Sequence, residues 1–253
     1  MAPPLVAVAH GSRNPRSAAT VTRLLQVARA MRPWLDIRVA FLDLSAPRLG
    51  DVLGALDGEA GEAVKEAVVV PLLLGEAYHA RVDVPAMVHE ATARHPRLSV
   101  SVAGVLGPDP RLESLALDRL LATGARLDDP ELGVVLAAAG STHPPANAAV
   151  SAVARRWAAR YGWAGATAAF ASATEPDVPG AVRLLRARGA RRIAVASWFL
   201  APGRLPDRVA IEARAAEPGA LVALPLGAAR GLAGVLLDRY DEELTEAAGG
   251  RYA

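Results

Sequence analysis

Short apolar runs alternate with helical stretches along the whole chain, and this alternation most restricts the fold. The predicted strands are Leu5–Ala9, Ile37–Leu42, Ala67–Leu74, Leu98–Ala103, Leu132–Ala138, Ala164–Ala171, Arg192–Phe199 and Leu221–Pro225. The predicted helices that follow them are Arg16–Met31, Pro47–Leu56, Val82–Arg94, Arg111–Ala122, Pro145–Tyr161, Val178–Arg188, Pro206–Ala216 and Leu232–Ala247. Strands that alternate with helices form parallel sheets covered by helices. The sequence therefore predicts the α/β class.

The two halves of the chain repeat each other. Matching positions occur in the same order in both halves: His10 with Ala139, Phe41 with Phe170, Pro47 with Pro176, and Leu117–Arg119 with Leu237–Arg239. Agreement in order over several units indicates internal duplication. We predict two similar lobes, an N-terminal one at residues 1–124 and a C-terminal one at residues 130–253, each with a four-stranded, mostly parallel sheet flanked by helices.

Composition excludes several classes of function. The chain of 253 residues has no cysteine, which excludes disulfides, iron–sulfur clusters and thiolate metal sites. A formal net charge of +2 does not favour nucleic acid as a partner. The sequence contains no membrane-length apolar run, no signal peptide and no phosphate-binding loop, so we expect a cytoplasmic protein that uses neither ATP nor a membrane.

A histidine follows the first predicted strand, in the run His10-Gly11-Ser12-Arg13. Open α/β sheets bind ligands at the carboxyl ends of their strands, so this loop is a candidate site. The second half keeps the turn as Ala139-Gly140-Ser141-Thr142 but has alanine at the histidine position. A histidine at a strand end can also serve only as a hydrogen-bond partner, and the residues of this loop leave that alternative open.

A second histidine, His79, follows the third predicted strand, with Glu76 just before it. If the first and third strands flank one crevice, His10 and His79 can converge and offer two nitrogen ligands, with Glu76 as a third ligand or proton acceptor. Imidazole is partly deprotonated near neutral pH, so it can both bind a metal ion and accept a proton. His143 lies on the loop of the second half that corresponds to the His10 loop and is a weaker candidate.

These segments resemble the ATP-independent sirohydrochlorin chelatases. The resemblance is carried by Val8–Pro15, Phe41–Asp43, Pro71–Pro85 and, in the second half, Ala139–Ala148. It implies two flavodoxin-like lobes and insertion of a divalent metal ion into sirohydrochlorin, on the way to sirohaem or cobalamin. Fe(II) is the favoured metal and Co(II) or Ni(II) the alternative; the ion is a substrate, and no ATP, iron–sulfur cluster or organic cofactor is expected.

The same resemblance implies the pair of active-site histidines, and the further candidates come from their positions on the loops and from their charge. His10 and His79 are expected to be the catalytic pair and, with Glu76, the metal ligands. Expected substrate-binding residues are Ser12, Arg13, Tyr78, Arg81, Ser141, His143 and Arg204. Because the second half lacks both histidines, one site per chain is expected, and duplication within the chain allows a monomer to suffice.

Two other classes of function remain open from the sequence. One is a carrier that binds a tetrapyrrole or a metal without turnover. The other is a two-lobed protein that binds a different small molecule, a class that is commonly exported. Retention of both histidine loops in the first half favours the enzyme over either alternative.

Overall fold

A computed structural model describes residues 2–58, 65–75 and 82–250. The elements, in chain order, are β1 (Leu5–Ala9), α1 (Pro15–Met31), β2 (Ile37–Phe41), α2 (Leu49–Gly58), β3 (Glu66–Pro71), α3 (Val84–Arg94), β4 (Ser99–Val102), α4 (Pro110–Leu121), β5 (Leu132–Ala138), α5 (Pro144–Arg160), β6 (Gly165–Phe170), α6 (Val178–Ala187), β7 (Arg192–Trp198), α7 (Arg204–Ala216), β8 (Leu221–Val222) and α8 (Arg230–Gly250). All the strands and helices predicted from the alternation are present, with their ends shifted by a few residues.

The described strands form two four-stranded sheets in which every neighbouring pair is parallel. Their orders are β2-β1-β3-β4 and β6-β5-β7-β8. In both sheets the order reverses beside the first strand, between β1 and β3 and between β5 and β7. Such a reversal opens a crevice at the carboxyl ends of the two strands, where α/β proteins bind ligands. The predicted α/β class with parallel four-stranded sheets is confirmed.

The first strand of each sheet is buried on both faces. Every residue of β1 and of β5 is buried, as expected for a central parallel strand covered by helices on both sides. On one face of the first sheet, Val6 and Val8 of β1 share a core with Leu53 of α2 and Val88 of α3. Because these strands are fixed by packing on both faces, the loops that follow them start from rigid positions.

The chain folds into two compact units, which we call the first and second lobes. The first contains the residues up to Asp109 and those from Ala228 onward, and the second contains Pro110–Gly227. Helix α4 packs against β7 of the second lobe, and α8 packs against α1 and β3 of the first. The lobes therefore differ from the predicted halves 1–124 and 130–253, because each half supplies its last helix to the other lobe.

Matching arginines hold the two exchanged helices. Arg239 of α8 donates from Nε to the carbonyl of Val105, at 2.9 Å, within the first lobe. Arg119 of α4 donates from Nη2 to the carbonyl of Leu226, at 3.1 Å, within the second. Within the part of the chain that the structure describes, no helix is both long and apolar enough to cross a membrane.

Candidate functional site

The loop after β1 presents His10 at the carboxyl edge of the first sheet. His10 is exposed and directly follows the buried strand. Gly11 has a positive φ of 94°, and a Cβ on this residue would lie 1.6 Å from the carbonyl oxygen of Asp43. Only glycine allows this backbone conformation and this close approach together. The glycine therefore brings the His10 loop into direct contact with the loop after β2.

Asp43 is the residue that this contact places beside His10. Its backbone N–H donates to the carbonyl of His10 at 2.9 Å, which continues the pairing of β1 with β2 beyond the strands. A hydrogen bond from the backbone N–H of Leu44 lowers the pKa of the Asp43 carboxyl, and the nearby Arg48 and His10 lower it further. An imidazole and an ionised carboxylate thus share one edge of the sheet, which is a donor pair suited to divalent first-row metals.

The sequence prediction assigned no role to Asp43, although the run Phe41–Asp43 was part of the family resemblance. Its place beside His10 depends on the register of β1 with β2, in which Ala9 lies opposite Phe41. The signal available in the sequence was an acidic residue directly after the second predicted strand, which lies next to the strand that His10 follows.

Ser12 and Arg13, both predicted to bind substrate, lie on the His10 loop. The Ser12 hydroxyl accepts a hydrogen bond from the Asn14 backbone N–H at 3.1 Å, and the Ser12 N–H donates to the hydroxyl of Ser45 at 3.2 Å. Arg13 is exposed. Ser12 therefore ties the loop after β1 to the loop after β2, and Arg13 leaves a cation at the surface next to His10.

The predicted residues Glu76, Tyr78, His79 and Arg81 lie outside the described residues. The chain approaches them from β3, whose last residue Pro71 pairs with Val8 of β1. Among the residues that are described, no group of three histidine, aspartate or glutamate side chains could hold a metal ion. The roles of His79 and Glu76 therefore stay predictions. The candidate ligands among the described residues are His10 and Asp43.

The second lobe repeats the backbone of this site. Gly140 has a φ of 84°, and a Cβ there would lie 1.9 Å from the carbonyl oxygen of Ser172. The Ser172 N–H donates to the carbonyl of Ala139 at 3.0 Å, as the Asp43 N–H does to His10. Leu44 and its counterpart Ala173 both have left-handed backbones, with φ of 58° and 66°. The two loops thus share one geometry.

The side chains on this repeated backbone are different. Ala139 stands at the position of His10, and Ser172 stands at the position of Asp43. Ser141 is engaged within its own loop, where its N–H donates to Oδ1 of Asn147 at 2.9 Å and its hydroxyl accepts from the His143 N–H at 3.0 Å. The second lobe therefore has neither the imidazole nor the carboxylate at these positions, although its loops have the same backbone geometry.

The other substrate-binding candidates of the second lobe follow its central strands. His143 is half-buried immediately before α5, and Arg204 is exposed as the first residue of α7. Both follow strands that flank the crevice of the second sheet, and their role as substrate contacts stays a prediction.

The chain is thus a duplicated α/β protein with a histidine and a carboxylate at the carboxyl edge of its first sheet. The model of the CbiX family matches residues 4–123 and matches again at residues 133–243. The chain therefore belongs to the CbiX family, which confirms the resemblance to sirohydrochlorin chelatases found in the sequence.

Two relatives agree with this membership, and one solved structure has a similar fold. The chain is 22% identical over 207 residues to the sirohydrochlorin cobaltochelatase of Priestia megaterium, covering 80% of this chain but only 65% of that protein. It is 23% identical over 205 residues to the sirohydrochlorin ferrochelatase of the same organism, covering 80% of this chain and 74% of the relative. The fold is that of SirB from Bacillus subtilis with Fe³⁺, with a TM-score of 0.79, 20% identity and 98% of each chain covered.

Proposed function

We propose that this protein inserts a divalent metal ion into sirohydrochlorin, with Fe(II) as the favoured ion and Co(II) as the alternative. The observation that carries the proposal is the contact of the His10 and Asp43 loops at the carboxyl edge of the first sheet. The two relatives are a cobaltochelatase and a ferrochelatase of sirohydrochlorin. They support sirohydrochlorin as the substrate and make cobalt and iron the two candidate metals.

Metal insertion requires groups that hold the incoming ion weakly and a base for the two pyrrole protons. His10 and Asp43 supply one nitrogen and one oxygen ligand, without the thiolates that bind these ions too tightly for transfer. His10, when neutral, is also a suitable proton acceptor. His79 and Glu76, which follow β3 in the sequence, are proposed as the further ligands.

Substrate carboxylates need cationic partners, for which arginine is suited by its forked geometry. Arg13 on the His10 loop and Arg204 on the second lobe are proposed for this role, with Ser12, Tyr78, Arg81, Ser141 and His143 as further substrate contacts. Arg208, one turn beyond Arg204, already pairs with Glu212 at 2.6 Å and is a poorer candidate.

The direct test is an insertion assay under anaerobic conditions. The protein is incubated with sirohydrochlorin and with Fe(II), Co(II) or Ni(II) in turn, and the absorption change is compared with a reaction without protein. We expect acceleration with at least one of the first two metals, and the ratio of the rates assigns the preferred ion. No acceleration with any metal would exclude the proposed activity.

A carrier without turnover is the second candidate. It would bind sirohydrochlorin tightly while leaving the insertion rate at the level of the reaction without protein. Equilibrium binding measured beside the insertion assay separates the two functions. That a monomer suffices remains a prediction, which sedimentation tests. A cytoplasmic location also remains a prediction, which cell fractionation tests.

A further inference from the structure

Arg48 occupies a position in the first lobe that does not suit an arginine. The Val52 N–H donates to the Arg48 carbonyl at 3.1 Å, so Arg48 is the capping residue that directly precedes α2. This position favours serine, threonine, aspartate or asparagine, whose side chains accept hydrogen bonds from the first turn. A helix N-terminus also carries partial positive charge and repels a cation. Arg48 therefore makes the start of α2 less stable than it could be.

The second lobe shows what the same position contributes when it carries a capping residue. Asp177 is the counterpart of Arg48, since the Ala181 N–H donates to the Asp177 carbonyl at 3.0 Å. The Asp177 side chain accepts a hydrogen bond from the Gly180 N–H at 2.7 Å and caps α6. The repeated backbone thus accepts a normal capping residue, whereas the first lobe has an arginine at this position.

Arg48 is instead engaged with the carboxylate beside His10. Its Nη1 atom lies 2.8 Å from Oδ1 of Asp43 and donates to the carbonyl of Leu42 at 3.1 Å. The side chains of Arg48 and Asp43 are 51% and 55% exposed, and an ion pair this exposed adds little to stability. Stability therefore does not explain why an arginine replaces the cap.

The histidine, the carboxylate and the arginine occur together in one lobe and are missing together from the other. The second lobe has Ala139, Ser172 and Asp177 at the three positions. Departures from a local structural preference concentrate at functional sites. The arginine thus belongs with the metal-binding groups rather than with the frame that the two lobes share.

We propose that Arg48 is a positioning residue that acts through Asp43, competing with the incoming metal ion for the carboxylate. The guanidinium occupies Oδ1 until the ion displaces it, so the ion is held weakly and is released readily into the macrocycle. Arg48 is not the sole partner of this carboxylate, because a hydrogen bond from the Leu44 backbone N–H also lowers the pKa of Asp43. This proposal rests on the proposed function and deepens it.

The test compares Arg48→Ser, which removes the cation and can cap α2, with Arg48→Lys, which keeps the charge. Co(II) is titrated into each full-length protein without tetrapyrrole, and insertion kinetics are then measured with Co(II) as the varied substrate. Arg191→Ser is the matched control, because it removes an arginine from the exposed pair with Glu131 in the second lobe.

For Arg48→Ser we expect Co(II) to bind roughly 2- to 5-fold more tightly, as for the loss of one competing exposed ion pair. KM for the metal and kcat should then fall together while kcat/KM changes little, because only the bound state before transfer is stabilised. The thermal midpoint should rise by about 2–4 °C through the new cap. Arg48→Lys and Arg191→Ser should bind Co(II) like the unmodified protein.

Unchanged or weaker Co(II) binding by Arg48→Ser would overturn the proposal, as would a lower thermal midpoint, since Arg48 would then serve stability. Failure of the proposed function has a different signature. If the unmodified protein does not insert metal into sirohydrochlorin, the insertion activity is wrong, and the Co(II) affinities still decide whether Arg48 competes for Asp43.

Discussion

The carboxyl edges of the two sheets share a backbone and differ in chemistry. Both have a glycine with positive φ pressed against a carbonyl of the next loop, and both have a left-handed residue just beyond it. The first lobe places His10 and Asp43 on this frame, whereas the second has Ala139 and Ser172. The glycines therefore belong to a frame that both lobes share, whereas the imidazole and the carboxylate occur at this position in the first lobe alone.

The largest effect is expected for His10→Ala. It removes the proposed nitrogen ligand and proton acceptor, so kcat/KM for metal insertion should fall by about 100-fold or more. His89→Ala is the control, because His89 is an exposed residue of α3. A His10→Ala protein with a nearly normal rate would show that the difference between the lobes is not catalytic.

The shared frame is tested by Gly11→Ala and Gly140→Ala. Each adds a Cβ that would lie under 2 Å from a backbone oxygen, at a residue with positive φ. We expect each change to lower the free energy of unfolding by about 2–4 kcal/mol, measured by denaturant titration. Gly50→Ala, where a Cβ would meet nothing within 4 Å, is the control. Markedly unequal costs would mean that the two loops are not equivalent.

The exchanged helices allow a comparison of matched arginines. Arg239 donates to the Val105 carbonyl and pairs with Glu242 at 2.7 Å, whereas the buried Nε of Arg119 has no hydrogen-bond partner among the described residues. Arg239→Ala should therefore destabilise the protein by about 2 kcal/mol and Arg119→Ala by about 1 kcal/mol. Thermal unfolding measures both, and the reverse order would contradict this account.

The smallest effect is expected for Ala139→His. A histidine restored to the second lobe faces Ser172, which offers no carboxylate, so the number of Co(II) ions bound per chain should not change. Adding Ser172→Asp should create a second, weak Co(II) site on the repeated backbone. Equilibrium dialysis counts the bound ions, and a second ion bound by Ala139→His alone would show that the carboxylate is dispensable.

Much of this organisation could be predicted from residues close together in the sequence. The buried runs Leu5–Ala9 and Leu132–Ala138 predicted the central strands. The repeated Gly-Ser turns predicted two similar loops, of which only the first has a histidine directly before the glycine. Asp43 was not assigned a role because its place beside His10 depends on a backbone hydrogen bond between loops that follow two different strands. The role proposed for Arg48 likewise depends on its ion pair with Asp43, which the sequence alone does not show.

The sequence by itself determined the strands, the helices, the duplication and the lobe that carries the histidine, since each depends on a local pattern of apolar, glycine and polar residues. Tertiary structure decided which loops meet and which helix covers which sheet. Helices α4 and α8 carry the matching runs Leu117–Arg119 and Leu237–Arg239, so their sequences do not distinguish packing on their own half from packing on the other. The chain path through Asp109 and Gly227 makes that choice. His10 likewise lies beside Asp43 only because β1 and β2 align in this register.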